Sequence, residues 1–332
     1  MFEISCKGYR MKIIVFLFIS LLLILPVVVS GNQSDAKDER IREASGIARV
    51  GESVLIVGDD IPGTYFKVPI SSIQGVLTEI KPGMFNRFEL FGGEKTTDLE
   101  GIEVMADGRI VAISEDRCEL YSKDGIVARY PASFIETGNR GLEGLAIREG
   151  NSGSSVIAVL WEGGFPIAKL LEDRHKHLNS ISMPIVVFLH TLAKDAVDLN
   201  PEGKLIVLDN PLPPGVKSNE ERFRAPGIVW HRFETGGEEQ WGLIVLMRSL
   251  NAESSKFSYH YLHLYDLEGN VIAKHDLGGI FKKYDVLDQN WEGLDWFVGG
   301  ESLLMVNDNY SGDNPIVMVI DLPEDWKTRL DR

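Results

Sequence analysis

The chain has 332 residues, with 34 Lys and Arg against 49 Asp and Glu, for a net charge of −15. Such an acidic surface repels nucleic acid and anionic lipid and favours cations, which argues against a nucleic-acid-binding role. The two cysteines are Cys6 and Cys118, too few for a disulfide framework, so stability must come from an ordinary apolar core, which a 44% hydrophobic chain supplies.

In chain order, the first element is an export signal. Ile13 to Val29 is an uncharged apolar run preceded by Lys7, Arg10 and Lys12 and followed by Ser30 and Gly31. It is at the short edge of a membrane span and carries Pro26, so it is either cleaved or kept as an N-terminal anchor, the only membrane tether the sequence offers. Both outcomes place the folded part outside the cytoplasm, periplasmic or secreted. Residues 1–30 carry the three basic groups named and one acidic group, Glu3, so the chain without them has a net charge of −17. Residues 31–40 read as a polar linker and residues 41–332 as one domain.

From there on a hairpin recurs: a strand, a tight turn and a second, very apolar strand. Its copies are SGIARVGESVLIVGDD (Ser45 to Asp60), EGIEVMADGRIVAISED with the Asp107-Gly108 turn, EGLAIREGNSGSSVIAVLWEGG (Glu143 to Gly164), VDLNPEGKLIVLDN (Val197 to Asn210), a degenerate PGIVWHRFETGGEEQWGLIVLMRS (Pro226 to Ser249), and EGLDWFVGGESLLMVNDN (Glu292 to Asn309). CELYSKDGIVARYP and YHYLHLYDLEGNVIAKHDL follow two of them as outer-strand pairs. Units of this size, each worth about four strands, predict an all-β chain folded as a β-propeller. Five or six blades fit, and the hairpins number six.

In a blade the start of the first strand and the end of the second emerge on the same face. The starts carry Ser45, Glu100, Glu143, Asp198 and Glu292; the ends carry Asp59-Asp60, Glu115-Asp116, Glu162, Asp209-Asn210 and Asn307-Asp308-Asn309. Two rings of carboxylates and amides are therefore expected around one mouth of the channel. Carboxylates so crowded cannot all stay ionised unless protons, arginines or a cation compensate. A donor set of oxygens only suits Ca²⁺ better than zinc, with Glu100, Glu143, Glu292, Asp308, Glu115 and Asp59 as its candidate ligands. The Glu-Gly pairs also admit a purely architectural reading, in which Gly permits close approach where the blades crowd the channel.

NRGLEGLAI with SSVIAVLWEGG, DLEGIEVMADGRIVAISED and NWEGLDWFVGGESLLMVNDNY together resemble the phytase-like propeller family, labelled "esterase-like activity of phytase", and share D-x-E-G-I and N-x-G-x-E-G-L with the related SdiA-regulated propellers. Leu142 stands where the family has Phe, Val306-Asn307-Asp308-Asn309 replaces Ser-Asp-Asp-Asn, and residues 211–260 depart most. The resemblance implies an exported propeller that hydrolyses phosphate or carboxylic esters.

The chain lacks G-x-S-x-G, H-E-x-x-H, a phosphate loop and R-H-G-x-R-x-P, so hydrolysis would use water, a cation and a spare carboxylate. Glu143, with Glu100 and Glu292, is the candidate catalytic set. Arg140, Arg117 and Trp161 are candidates for substrate contact, with Arg248 a third arginine, and Trp291 and Trp296 are candidates for an aromatic rim. His260 and His263 are an odd number apart on a strand and face opposite sides; His175 and His177 read as loop. A non-catalytic propeller that binds a ligand or partner, with calcium only rigidifying the blades, is the other reading.

Overall fold

The computed structural model describes residues 40–59, 61–91, 98–130, 141–161, 185–209, 221–251, 256–309 and 313–327. The expected signal, residues 31–39 of the expected linker, Asp60, Arg140, Glu162, His175, His177 and Asn210 lie outside the described residues.

Described residues form five four-stranded antiparallel sheets, a five-bladed β-propeller. Blade one holds β1 (Ala44–Val50), β2 (Ser53–Gly58) and β3 (Thr64–Pro69), then the chain detours through β4 (Leu77–Glu79) before returning as the outer strand β5 (Asn86–Glu89). Blade two is β6 (Leu99–Val104), β7 (Ile110–Ser114), β8 (Glu119–Ser122) and β9 (Gly125–Arg129). Blade three is β10 (Leu142–Glu149), β11 (Ser155–Trp161), β12 (Ile185–Leu192) and β13 (Gly203–Leu208). Blade four is β14 (Glu221–Thr235), β15 (Glu238–Asn251), β16 (Phe257–Tyr265) and β17 (Val271–Asp276). Blade five is β18 (Asn290–Val298), β19 (Ser302–Asp308) and β20 (Ile316–Asp321), completed by β4.

The count of six hairpins is corrected to five. In VDLNPEGKLIVLDN only the second half is a strand, and it is the outermost one of blade three, paired with β12. Asp198 instead donates its N–H to Val127 O at 2.9 Å, beside the outer strand of blade two. The apolar run KLIVLD resembles a second strand in composition, but half of β13 is exposed. Composition alone does not separate a strand covered on two faces from one covered on its last turn. The degenerate copy, by contrast, is a true inner hairpin, turning on Gly236 and Gly237 at φ 64° and 84°, the backbone that a two-residue turn between twisted strands requires.

Second strands read as unbroken apolar runs because neighbouring blades cover both of their faces; every position of β19 is buried. Buried apolar side chains accordingly fall into five clusters among the described residues, one between each pair of adjacent blades. The cluster of Ile47, Val54, Ile56 and Phe66 with Leu304, Val306 and Val317 joins blade five to blade one, and β4 pairs with β20 at Thr78↔Val317. An N-terminal strand thus closes the ring.

Candidate functional site

All five inner strands break register at the same place. Residues 45, 100, 143 and 292 are each the extra residue of a β-bulge against the second strand, and in β14 two residues, Ala225 and Pro226, oppose one. A bulge leaves its extra residue out of the ladder and re-aims the side chain. Ser45, Glu100, Glu143 and Glu292 are therefore turned toward one end of the channel rather than into a blade interface.

The glycine after each bulge has a separate reason. A Cβ at Gly46 would lie 2.7 Å from Glu100 O, at Gly101 2.8 Å from Leu145 Cβ, at Gly227 2.6 Å from Glu292 O and at Gly293 2.8 Å from Ile47 N; at Gly144 it would press on Ile228. Each glycine thus admits the next blade's inner strand, and the five contacts close on themselves. The channel at this level is a cavity of about 10 Å³, room for about one water.

Above it lies the acidic mouth. Single oxygens of Asp59, Asp98 and Glu100 all lie within 4.8 Å of one another. Glu143, Glu292 and Glu115 surround Glu100 closely enough for their charges to raise its pKa. Asp59 accepts a hydrogen bond from Ser45 Oγ. Burial first, and the Glu292 charge second, push Asp59 up to about 9. Burial, then Asp59 and Glu143, hold Glu100 well above the usual carboxylate range, and Asp98 is raised by burial and by Asp116. Six carboxylates brought together with so little access to water must take up protons or a counter-charge.

One counter-charge is internal. Arg248, buried at the end of β15, donates from Nη2 to Glu292 Oε1 at 2.8 Å, and Asn290 Nδ2 bridges Glu292 Oε1 at 2.7 Å and Asp308 Oδ2 at 2.9 Å. Blade four thus contributes a cation where the other blades contribute acids. Asp198 and Asp209, expected in the rings, stand elsewhere: Asp209 donates its N–H to Gly269 O at 2.9 Å, beside the outer strands of blade four. Asn307 and Asn309 brace backbone and side chains, Asn307 with Gln289 and Ile316, Asn309 with Ile41.

Asp98 belongs to the site and was not singled out from sequence. It sits at φ 69°, its N–H bonds Asp59 O at 3.2 Å and its C=O receives Glu115 N at 3.0 Å. Asp is one of the few residues that visits the left-handed region without great strain, and its place directly before the Leu-Glu-Gly of a bulge was the available signal. Asn290, two residues before the third Glu-Gly, carried the same kind of signal.

The aromatic rim is a correction. Trp161 is buried in the core between blades two and three, Trp291 is buried with Nε1 donating to Val286 O at 3.2 Å, and Trp296 lies at the opposite end of the channel. Arg117 is exposed and paired with Asp116 at 3.7 Å. His260 and His263 are buried in different surroundings, His260 against Phe281 and His263 bonded to Tyr265, each held neutral by burial. Cys118 is buried, its thiol pushed up to about 12 by burial and by Glu115.

Asp59, Asp98 and Glu100 are the residues that could hold a hard cation. Ligands across a Ca²⁺ ion at 2.3–2.6 Å stand at most about 5 Å apart, which the Asp59, Asp98 and Glu100 oxygens satisfy. Among the described residues no sulfur or imidazole joins them, and the buried Asn290 Oδ1 lacks a hydrogen-bond partner.

No family model matches the chain, and no curated protein matches it. Among solved structures, a virginiamycin B lyase from Staphylococcus aureus aligns at 11% identity over 86% of this chain and 97% of that one, with a TM-score of 0.35. An endo-arabinase from Bacteroides thetaiotaomicron aligns at 11% over 86% and 95%, with a TM-score of 0.45. A streptogramin B lyase aligns at 10% over 85% and 95%, with a TM-score of 0.35. Likenesses of this size bear on neither substrate nor chemistry.

Proposed function

We propose that the acidic mouth binds a divalent cation, calcium by its donor chemistry, and that the loaded site of an exported protein hydrolyses phosphate or carboxylic esters, as the resemblance to phytase-like propellers implies. The observation that carries this is the convergence of Asp59, Asp98 and Glu100 on a space of cation size. These three would hold the ion, which supplies polarisation of the ester oxygen and neutralises charge developing on it.

The chain's own part is proton handling. Glu292 is tied to Arg248 and Asn290 and serves as a fixed anion. Glu143, on the neighbouring blade and close enough to raise Glu100, takes the proton from the attacking water. The water oxygen bonds to the carbonyl carbon or phosphorus, the bond to the alcohol oxygen breaks, and that oxygen takes the proton from Glu143. Arg117 and Arg140 remain the candidates for an anionic part of the substrate.

The non-catalytic reading has one observation in its favour: Glu100, Glu143 and Glu292 are only 6 to 7% exposed, deep for groups that must meet a substrate. Both readings meet one experiment. Millimolar calcium should raise the melting temperature by several degrees over a chelated sample, since ligand at 100 times its Kd stabilises by about 2.7 kcal/mol. Turnover of p-nitrophenyl phosphate or acetate should require calcium and fall at least a hundredfold in Glu143→Gln. No calcium shift would remove the metal site; a shift without turnover would leave the binding propeller.

A further inference from the structure

Beyond the glycine ring, the same five strands run on to a second space. Two to four residues further along, they line a cavity of about 480 Å³ at the end of the channel opposite the acidic mouth. Two of them repeat a carboxylate there: E-G-I-E delivers Glu100 to one end and Glu103 to the other, and E-G-L-D delivers Glu292 and Asp295. The long β14–β15 hairpin, 15 and 14 residues against 5 to 9 in the inner hairpins of the other blades, overhangs the cavity and adds Trp230 and Trp241.

We propose that this cavity is a binding site for a small organic cation, an amine carried on an apolar or aromatic body. It rests on groups separate from the acidic mouth and does not depend on what that mouth does.

The carboxylates are built in. Asp295 Oδ2 accepts the backbone N–H of Arg49, and Glu103 Oε2 that of Val104 at 3.1 Å. Their strands are not adjacent in the ring; β1 stands between them, so the two acids face one another across the channel. Asp295 is 7% exposed, whereas Glu103 is enclosed by protein but keeps part of its surface open to the cavity. Burial lifts Asp295 to about 7, and burial together with the Asp295 charge lifts Glu103 well above its usual range. The charge of Arg49 offsets part of this at Asp295, by less than burial raises it.

The arginine head groups of the lining are bonded elsewhere. Arg148 is stacked between Trp230 and Trp241, its guanidinium 4.7 and 4.6 Å from the ring centres, and Nη1 donates to Glu149 O at 3.1 Å. Arg49 turns its guanidinium to Phe297 O and to Gly51 O. The indole N–H groups are also used, Trp230 Nε1 on Ala146 O at 3.2 Å and Trp296 Nε1 on Trp230 O at 2.9 Å. With Arg148 over both Trp230 and Trp241, and Arg232 over Trp241, the tryptophans give the cavity an apolar wall rather than hydrogen-bond donors. A cation-bearing ligand would offset the charge of the two acids.

The test is calorimetric titration of the full chain with benzylamine, benzyl alcohol and benzoate, with tryptophan fluorescence as a second readout. Benzylamine should bind saturably, about tenfold or more tighter than benzyl alcohol, and perturb the fluorescence. Asp295→Asn and Glu103→Gln, each checked for an unchanged melting transition, should each weaken it about tenfold. Equal binding of alcohol and amine, tighter binding of benzoate, or no saturation by benzylamine would overturn the proposal. Because the three-ligand comparison needs no variant, it decides the matter even if a substitution unfolds the protein.

Discussion

At the scale of single residues, the acidic mouth couples stability to pH with a sign opposite to that of a salt-bridged carboxylate. Asp59 titrates near 3.8 in an ordinary setting and at about 9 in the fold. Between those values the native state binds the extra proton, so without a cation stability falls as pH rises through that window and is flat below it. Thermal melts in chelator at about pH 5 and about pH 8.5 should therefore show the higher melting temperature at the lower pH. Asp59→Asn should flatten the difference, because an amide has no proton to lose; an unchanged slope would assign it to Glu100. Calcium should reverse the order, since a cation needs the carboxylates ionised.

At the scale of elements, the bulge divides the work between two neighbours. In four blades the residue before the glycine is set outside the ladder and aimed at the mouth, while in all five the glycine lets the adjacent blade come within contact of the backbone. Gly46→Ala tests the second half alone: the new methyl would sit 2.7 Å from Glu100 O, backbone that cannot swing away. A loss of about 1–3 kcal/mol is expected by urea denaturation, together with weaker cation binding, because the displaced carbonyl belongs to a site residue. Gly51→Ala is a poor comparison, being at φ 56°, whereas Gly279→Ala meets open space and should cost less than about 1 kcal/mol.

At the scale of the molecule, the ring closes through a strand that is distant in sequence from the blade it completes. Val319 N bonds Val76 O at 2.8 Å and Ile80 N bonds Pro315 O at 2.8 Å, either side of Thr78. Proline at position 78 disturbs this ladder without touching the mouth. In Thr78→Pro, hydrogen exchange at Val317 to Val319 should accelerate strongly while amides of β11 in blade three keep their protection. Uniform acceleration in both blades would mean that the ring opens as one cooperative unit.

The hairpin repeat, the apolar second strands, the Asp107-Gly108 turn and the Glu-Gly positions were legible in the sequence, because strand periodicity, turn chemistry and backbone sterics are local properties. They were enough to specify a propeller and to place Glu100, Glu143, Glu292, Glu115, Asp59 and Asp308 together at one mouth. Five blades rather than six, the closing role of β4, the exclusion of Asp198 and Asp209, the burial of Trp161 and the entry of Asp98 were decided by tertiary structure. Each depends on which strands pair across long separations and on which face of a strand another blade covers, and neither quantity is written in the residues of the strand itself. The cavity with Glu103 and Asp295 belongs to the second group for the same reason: the carboxylates were visible in E-G-I-E and E-G-L-D, but only the closed ring brings their two strands to face one another.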